Sequence, residues 1–92
     1  MNDNLTSVII TTYNRADFLK KTLDSIENQT YKNVEIIVID DGSTDEIAIK
    51  IKNICLEFSK CQYHWKSNTG QADSRNIGIE KAKGEYIGFC DD

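Results

Sequence analysis

The chain has 92 residues, a formal net charge of −4 and no proline. This length allows one domain with a modest core, because a chain of this size buries only about 60% of its extended surface on folding. The acidic balance argues against nucleic acid as the main partner, since neutralising phosphates requires clustered lysine and arginine. We therefore expect a single domain over residues 1–92 that does not bind nucleic acid.

Cysteine usage and hydropathy bear on the compartment. Cys55, Cys61 and Cys90 are odd in number and lack Cys-x-x-Cys spacing, so neither a disulfide framework nor a zinc site is indicated. No apolar run approaches the ~20 residues that span a bilayer, and no basic-then-apolar leader is present. We expect reduced cysteines and a cytoplasmic location, and membrane association of the full-length protein stays open.

The first half of the chain predicts a strand, a helix and a second strand. Residues 8–13 form an apolar strand-like run, and helical spacing predicts a helix from about Arg15 to Asn28 with Asn14 as its cap. Residues 34–41 are almost continuously apolar before they end in two aspartates. Such a run predicts a strand buried on both faces, near the middle of a parallel sheet.

A second helix and a short strand follow. Ser43 and Glu46 fit a capping box, in which Ser43 caps the helix and Glu46 reaches back to it. The aromatic content of residues 62–65 predicts a strand. Because strand neighbours point to opposite faces, we expect a packed Trp65 and a partly exposed His64.

The last segments are a third helix and a fourth strand. The helix is predicted over roughly residues 71–83, with Gly84 as a left-handed terminator, and the strand over residues 85–92. Strict alternation of strands and helices favours parallel strands joined by crossover helices. The predicted fold class is α/β, a Rossmann-like three-layer α/β/α arrangement with a mainly parallel sheet.

Polar residues stand where the predicted strands end, which is where open α/β sheets bind ligands. A nucleotide base offers an N–H to a carboxylate and a ring face to an aromatic side chain. Asp41 and Tyr13 are the candidates for these two roles. In the alternative, Asp40 and Asp41 form an Asx turn before a helix, and Tyr13 is a half-buried aromatic at a strand end.

Two further features suit a diphosphate and its cation. Arg75 lies one turn into the third helix, and its planar fork can donate to two oxyanions, although pairing with Asp73 or Glu80 is the alternative. Asp91 and Asp92 repel each other unless a cation or donors compensate. They are candidates for the edge of a Mg²⁺ or Mn²⁺ site, and solvated aspartates are the alternative.

Four segments together resemble the family 2 glycosyltransferases of the GT-A fold. They are Thr11 to Arg15, Asp40 to Asp45, Gly70 to Asn76, and Gly84 to Asp91. The resemblance implies the N-terminal, donor-binding half of a GT-A fold, a nucleotide-sugar donor that is usually uridine-linked, and a divalent cation, Mg²⁺ or Mn²⁺, in the full enzyme. It also implies an inverting transfer to an acceptor hydroxyl, in bacterial polysaccharide or glycoconjugate synthesis.

The resemblance also implies roles for single residues. Thr11 and Tyr13 would line the base pocket, with Tyr13 stacked on the base. Asp41 would accept a hydrogen bond from the base N–H, and Asp40 would support the turn or the ribose side. Arg75 would lie near the base and the diphosphate.

The family's Asp-x-Asp triad is matched only in part. Asp91 corresponds to its first member, which meets the ribose, and Asp92 corresponds to the variable middle position. Asp92 stays a candidate metal ligand because of its place in the acidic pair. The main metal ligand would be residue 93, so the domain is expected to be truncated at this motif. No catalytic residue is expected in these 92 residues, and this part alone is expected to be inactive.

Two other classes of protein remain open. A phosphoacceptor receiver domain also carries an acidic pair at a strand end, but there the pair follows the first strand, whereas here it follows the second. A non-catalytic binding or assembly module would keep the fold without using the pocket. An exposed sheet edge also predicts self-association into a homo-oligomer.

Overall fold

The computed structural model describes residues 4–29 and 33–91. Strands and helices alternate along these residues as predicted. The elements are β1 (Thr6–Thr12), α1 (Ala16–Glu27), β2 (Val34–Asp41), α2 (Asp45–Leu56), β3 (Cys61–Lys66), α3 (Gln71–Lys81) and β4 (Tyr86–Asp91). Within the described residues, no helix is long and apolar enough to cross a membrane.

The described strands form one four-stranded sheet in the order β3-β2-β1-β4, and every pair is parallel. The predicted α/β class with a parallel sheet is confirmed. β2 lies inside the sheet, as its continuous apolar run predicts, and β3 and β4 flank the two inner strands. The shared direction brings all four carboxyl ends to one edge, where Thr11 of β1 is in register with Ile39 of β2 and Asp91 of β4.

Helices cover both faces of the sheet. Alternate residues of β1 and β2, such as Ile10 and Val38, pack with Leu23 of α1 and Ile51 of α2 in the main core. Their neighbours point the other way, towards α3, which contacts both β1 and β2. Burial of apolar side chains on both faces stabilises the sheet by about 25 cal/mol per Å² removed from water.

The predicted helix caps are wrong. The N-cap of α1 is Arg15 and that of α2 is Thr44, and neither makes a side-chain cap hydrogen bond. Asn14 and Ser43 do not cap their own helices because each forms a hydrogen bond with the turn that contains the other. The Ser43 hydroxyl accepts from Asn14 N at 2.8 Å, and Asn14 Oδ1 accepts from Thr44 N at 3.0 Å.

Two other local predictions are also wrong. α3 ends at Lys81 with an extended Ala82, and Gly84 is not left-handed. Gly84 is instead a point of close approach, because a Cβ there would lie 2.7 Å from the Leu5 carbonyl oxygen. Trp65 is 50% exposed rather than packed, since it lies on the flanking strand β3. None of the three cysteines forms a disulfide with another described residue.

Candidate functional site

A cleft of about 320 Å³ opens at the carboxyl edge of the sheet. Its lining comes from β1 and the turn after it, from the end of β2 and from the first residue of α3. The residues lining it are Thr11, Thr12, Tyr13, Arg15, Asp41 and Gln71. The structure therefore brings together three of the predicted site residues, Thr11, Tyr13 and Asp41.

Asp41 is held in the cleft by three hydrogen bonds. Its Oδ1 accepts from Lys66 Nζ at 2.7 Å and from the Thr69 backbone N–H at 2.9 Å. Its Oδ2 accepts from the Gly70 backbone N–H at 3.1 Å. The side chain is only 12% exposed, so these donors replace most of its water and fix its orientation.

The surroundings also set the charge of Asp41. Burial alone would raise the pKa of this carboxyl, but the hydrogen bond from Lys66 and those from the Thr69 and Gly70 amides lower it, and the pKa lies below its ordinary value. Asp41 is therefore a carboxylate at neutral pH. An ionised carboxyl offers about four acceptor positions, so the three donors leave capacity for one more hydrogen bond.

Tyr13 and Thr11 give the cleft an aromatic and a polar wall. The Tyr13 side chain is 48% exposed at the mouth of the cleft, while Thr11 is 5% exposed at its base. Gln71 Nε2 lies 3.4 Å from the Thr11 hydroxyl and joins α3 to β1. A half-exposed ring beside a fixed carboxylate can stack on a flat ligand that donates to that carboxylate.

Asp40 does not line the cleft. It is fully buried, and its side chain is on the opposite face of β2 from that of Asp41. Its Oδ1 accepts from Ser43 N at 2.9 Å and its Oδ2 from the Tyr63 hydroxyl at 2.6 Å. Of the two roles predicted for Asp40, these contacts match support of the turn after β2.

Arg75 does not line the cleft either. Its guanidinium carbon lies 5.9 Å from the centre of the Phe89 ring, in cation–π geometry over β4. Gln71, one helical turn earlier, is the residue of α3 that reaches the cleft, and sequence reasoning missed it. The signal that could have found it is the Gly70 turn, which places the first residue of α3 at the carboxyl edge.

The acidic end of β4 is described only in part. Asp91 is the last residue of β4 and is in register with Thr11 at the cleft edge. The predicted metal ligand Asp92 lies outside the described residues. Within residues 4–29 and 33–91, no group of three or more His, Cys, Asp or Glu side chains could hold a metal ion, so these residues alone do not make a complete cation site.

Comparison with known proteins places this arrangement in a family. The model for glycosyl transferase family 2 matches residues 7–92. An uncharacterized glycosyltransferase of Rickettsia bellii is 45% identical over 91 residues, which make up 99% of this chain and 13% of that protein. The chain spans 13% to 37% of the length of the first four curated relatives that it matches.

Solved structures give the same result for the fold. A mannosyltransferase from Pyrobaculum calidifontis, in complex with GDP-Man and Mn²⁺, matches with a TM-score of 0.83 and 26% identity, over 94% of this chain and 26% of its own. TarS from S. aureus, in complex with UDP-GlcNAc, matches with a TM-score of 0.78 and 28% identity over the same shares. These neighbours are GT-A glycosyltransferases, which confirms the predicted fold.

Proposed function

The chain belongs to glycosyl transferase family 2, and on that premise we propose that it is the donor-binding part of an inverting glycosyltransferase. The enzyme would transfer a sugar from a nucleotide-diphosphate donor to an acceptor hydroxyl, in polysaccharide or glycoconjugate synthesis. The observation that carries the proposal is the fixed carboxylate of Asp41 beside the half-exposed ring of Tyr13, in a cleft at the carboxyl ends of parallel strands.

The chemistry of Asp41 favours a uridine-linked donor. The bases of GDP-Man and UDP-GlcNAc, which the two structural neighbours bind, each carry a ring N–H. Uracil presents one N–H between two carbonyls, whereas guanine presents a ring N–H and an adjacent amine. Because Asp41 has room for one further hydrogen bond, the single donor of uracil fits it better.

A divalent cation, Mg²⁺ or Mn²⁺, is the proposed cofactor of the full enzyme. A structural neighbour was solved with Mn²⁺, and hard cations bind carboxylate and diphosphate oxygens together. Asp91 and Asp92 are the proposed residues at its edge, although the described residues do not complete such a site. When bound, the cation would neutralise charge on the diphosphate, and the roles of Asp41 and Tyr13 do not depend on it.

The isolated chain is proposed to bind its donor without transferring the sugar. Transfer requires a general base that deprotonates the acceptor hydroxyl. The groups of the described cleft are committed elsewhere, since Asp41 is held by Lys66 and two amides. The acceptor and its activation belong to the rest of the enzyme under this proposal.

Nucleotide titration of the chain tests the proposal. Amide chemical shifts are recorded with UDP, GDP, CDP and TDP, each with and without Mn²⁺, for the wild type and for Asp41→Asn. Asp24→Asn is the matched control, because it removes the same charge from an exposed position on α1, where the side chain is 51% exposed. We expect saturable shifts with UDP, unchanged in the control and at least about tenfold weaker in Asp41→Asn, as for loss of one charged hydrogen bond.

An absence of saturable shifts with every nucleotide would overturn the donor-binding role. The non-catalytic module would then be the better description, since it keeps the fold and has no specific nucleotide affinity. Binding that survives Asp41→Asn undiminished would overturn only the assignment of Asp41.

We also propose a cellular location and self-association for this protein. Three cysteines that form no disulfide among the described residues support a reducing, cytoplasmic compartment. Exposed Ile87 and Phe89 on β4, 42% and 50% accessible, support association between copies along this side of the sheet. Light scattering over a wide concentration range tests the second proposal, and a monomer at every concentration would contradict it.

A further inference from the structure

Lys66 ends β3 beside the cleft and joins three segments of the chain. Its Nζ donates to Asp41 Oδ1 at 2.7 Å, to the Ser67 carbonyl at 2.7 Å and to the Thr69 hydroxyl. Asp73 Oδ2, in the first turn of α3, lies 3.8 Å away. The side chains of Lys66 and Asp41 are 15% and 12% exposed, so solvent ions screen this pair much less than a surface salt bridge.

The ammonium group determines which oxygen of Asp41 remains for a ligand. Oδ1 accepts from Lys66 and from the Thr69 amide, which fills its two lone pairs. Oδ2 accepts from the Gly70 amide and keeps one position open. An ionised carboxyl can only accept a hydrogen bond there, whereas a protonated one could donate.

We infer that Lys66 is a positioning residue that sets the base selectivity of the cleft, by holding Asp41 as a carboxylate that can only accept. The inference rests on the proposed nucleotide-binding function. The matching ligands are nucleotides whose base has a ring N–H, namely uracil, thymine and guanine. Cytosine presents an unprotonated ring nitrogen at the same place, so two acceptors would face each other and cytidine nucleotides are rejected.

Among the groups around Asp41, Lys66 contributes most to keeping the carboxyl ionised. Titratable or charged side chains near Asp41 come from α3, from the β1–α1 turn and from β2 itself: Asp73, Arg15, Tyr13 and Asp40. Burial by itself would raise the pKa of Asp41. The hydrogen bond from Lys66 is the strongest opposing effect, and without it only the Thr69 and Gly70 amides would lower this pKa.

Removal of the ammonium group should therefore let Asp41 become protonated in mild acid and reverse the base preference. A protonated Asp41 donates its O–H to the ring nitrogen of cytosine and accepts from the exocyclic amine through its carbonyl oxygen. The ring nitrogen of uracil carries a hydrogen, so it would face the O–H of the protonated Asp41 as a second donor, and their hydrogen bond would be lost. The change is one of selectivity, which a purely structural role of Lys66 would not produce.

The experiment measures the ratio of the CDP and UDP dissociation constants from pH 8 to pH 5. The two terminal phosphates titrate alike, so their protonation cancels in the ratio. We expect the wild type and Lys66→Arg, which keeps the cation, to favour UDP at every pH in this range. Protonation of cytosine itself lowers the ratio somewhat in every protein, so in Lys66→Met the ratio should fall towards pH 5 by about tenfold or more beyond its fall in the wild type and in Lys66→Arg, the discrimination of one matched base contact.

The possible outcomes separate this inference from the proposed function. Equal loss of affinity for both nucleotides in Lys66→Met, with a ratio that changes with pH no more than in the wild type, would overturn the positioning role. A wild type that binds neither nucleotide would overturn the donor-binding function instead. Should Lys66→Met fail to fold, the ¹³C carboxyl shift of Asp41 in the wild type decides, because a midpoint at or above the ordinary value of about 3.9 contradicts the inference.

Discussion

Asn14 and Ser43 link the two turns that flank the cleft. The Asn14 backbone N–H donates to the Ser43 hydroxyl at 2.8 Å, and Asn14 Oδ1 in return accepts from the N–H of Thr44. Asn14 has a φ of 54°, a left-handed conformation that asparagine tolerates better than most residues. Tyr13 precedes Asn14 and Asp41 lies two residues before Ser43, so this link fixes the distance between the two proposed base-binding residues.

Asn14→Ala should destabilise the protein by about 1–3 kcal/mol, because it leaves the Thr44 N–H without its acceptor and puts alanine in a left-handed conformation. Asn14→Gly should destabilise the protein less than Asn14→Ala, because glycine adopts a positive φ without strain and only the side-chain acceptor for the Thr44 N–H is lost. Urea unfolding measures both. Asn53→Ala, on the exposed side of α2, is the control and should be neutral or slightly stabilising. Equal midpoints for Asn14→Ala and Asn53→Ala would contradict the role of the link.

Gly84→Ala should be destabilising because the backbone of β1 leaves no room for a methyl group. A Cβ at this position would lie 2.7 Å from the Leu5 carbonyl oxygen and 2.8 Å from the Ser7 backbone nitrogen. We expect a loss of about 1–3 kcal/mol, as for other overpacked sites. Gly88→Ala is the matched control, because nothing lies within 4 Å of its Cβ position, and it should be neutral or stabilising by up to about 1 kcal/mol. The midpoints of thermal unfolding decide the comparison.

The order of the elements and the ends of the strands were predictable because they depend on local patterns. Apolar runs predicted three of the strands and aromatic content predicted the fourth. The parallel topology then brought Thr11, Tyr13 and Asp41 into one cleft, as their positions at strand ends predict. These three residues needed no knowledge of side-chain packing. Their convergence follows from strand direction alone.

The contacts that hold the cleft together were not predictable in this way. Asparagine and serine are residue types that often cap helices, which is why Asn14 and Ser43 were predicted as caps. Only the packing of the two turns brings their polar groups together, although the two residues are 29 positions apart in sequence. Lys66 lies 25 positions from Asp41 and carries no local signal of their contact. Arg75 was predicted near the base, but one helical turn of about 5 Å separates it from Gln71, the residue that reaches the cleft.

Tyr63→Phe should weaken the fold and remove an alkaline transition. Tyr63 donates at 2.6 Å to Oδ2 of Asp40, which is fully buried, so phenylalanine leaves that oxygen without this donor at a cost of about 1–3 kcal/mol. Burial, and then the hydrogen bond to Asp40, raise the pKa of Tyr63 well above its ordinary value. The contribution of the protonated Tyr63 hydroxyl to stability is therefore fully present below about pH 10 and is lost as the pH rises through the pKa of the folded state. Urea unfolding at pH 7 and pH 11 checks both effects.

Exposed Tyr86 provides the control for Tyr63. Its side chain is 56% accessible, so Tyr86→Phe should change stability little. Ultraviolet titration of the folded protein should show a phenol that ionises late, and this component should vanish in Tyr63→Phe but persist in Tyr86→Phe. A wild type without any late-ionising phenol would contradict the assigned hydrogen bond.

Asp41→Asn should change how the free energy of unfolding depends on pH in the acid range. The pKa of Asp41 is lowered in the folded protein, so between the folded and unfolded values the unfolded chain binds more protons, and stability rises with pH there. The contribution of the carboxylate is complete above about pH 5 and is lost as the pH falls through the folded pKa. At pH 7 the variant leaves the Lys66 ammonium with only the more exposed Asp73, 3.8 Å away, as a counter-charge, which should cost about 2–3 kcal/mol, less than breaking a fully buried pair.

Urea unfolding of the wild type and Asp41→Asn at pH 7, 5, 4 and 3 measures this effect. The difference in stability should be largest at pH 7 and should shrink towards pH 3, because the carboxyl of the unfolded wild type takes up a proton before the carboxyl of the folded protein does. Asp24→Asn, at an exposed position paired with Lys20 at 3.6 Å, should follow the wild type throughout. A difference that stays constant down to pH 3 would mean that asparagine disturbs the loop at Thr69 and Gly70 by its shape, and that the charge of Asp41 contributes nothing to the fold.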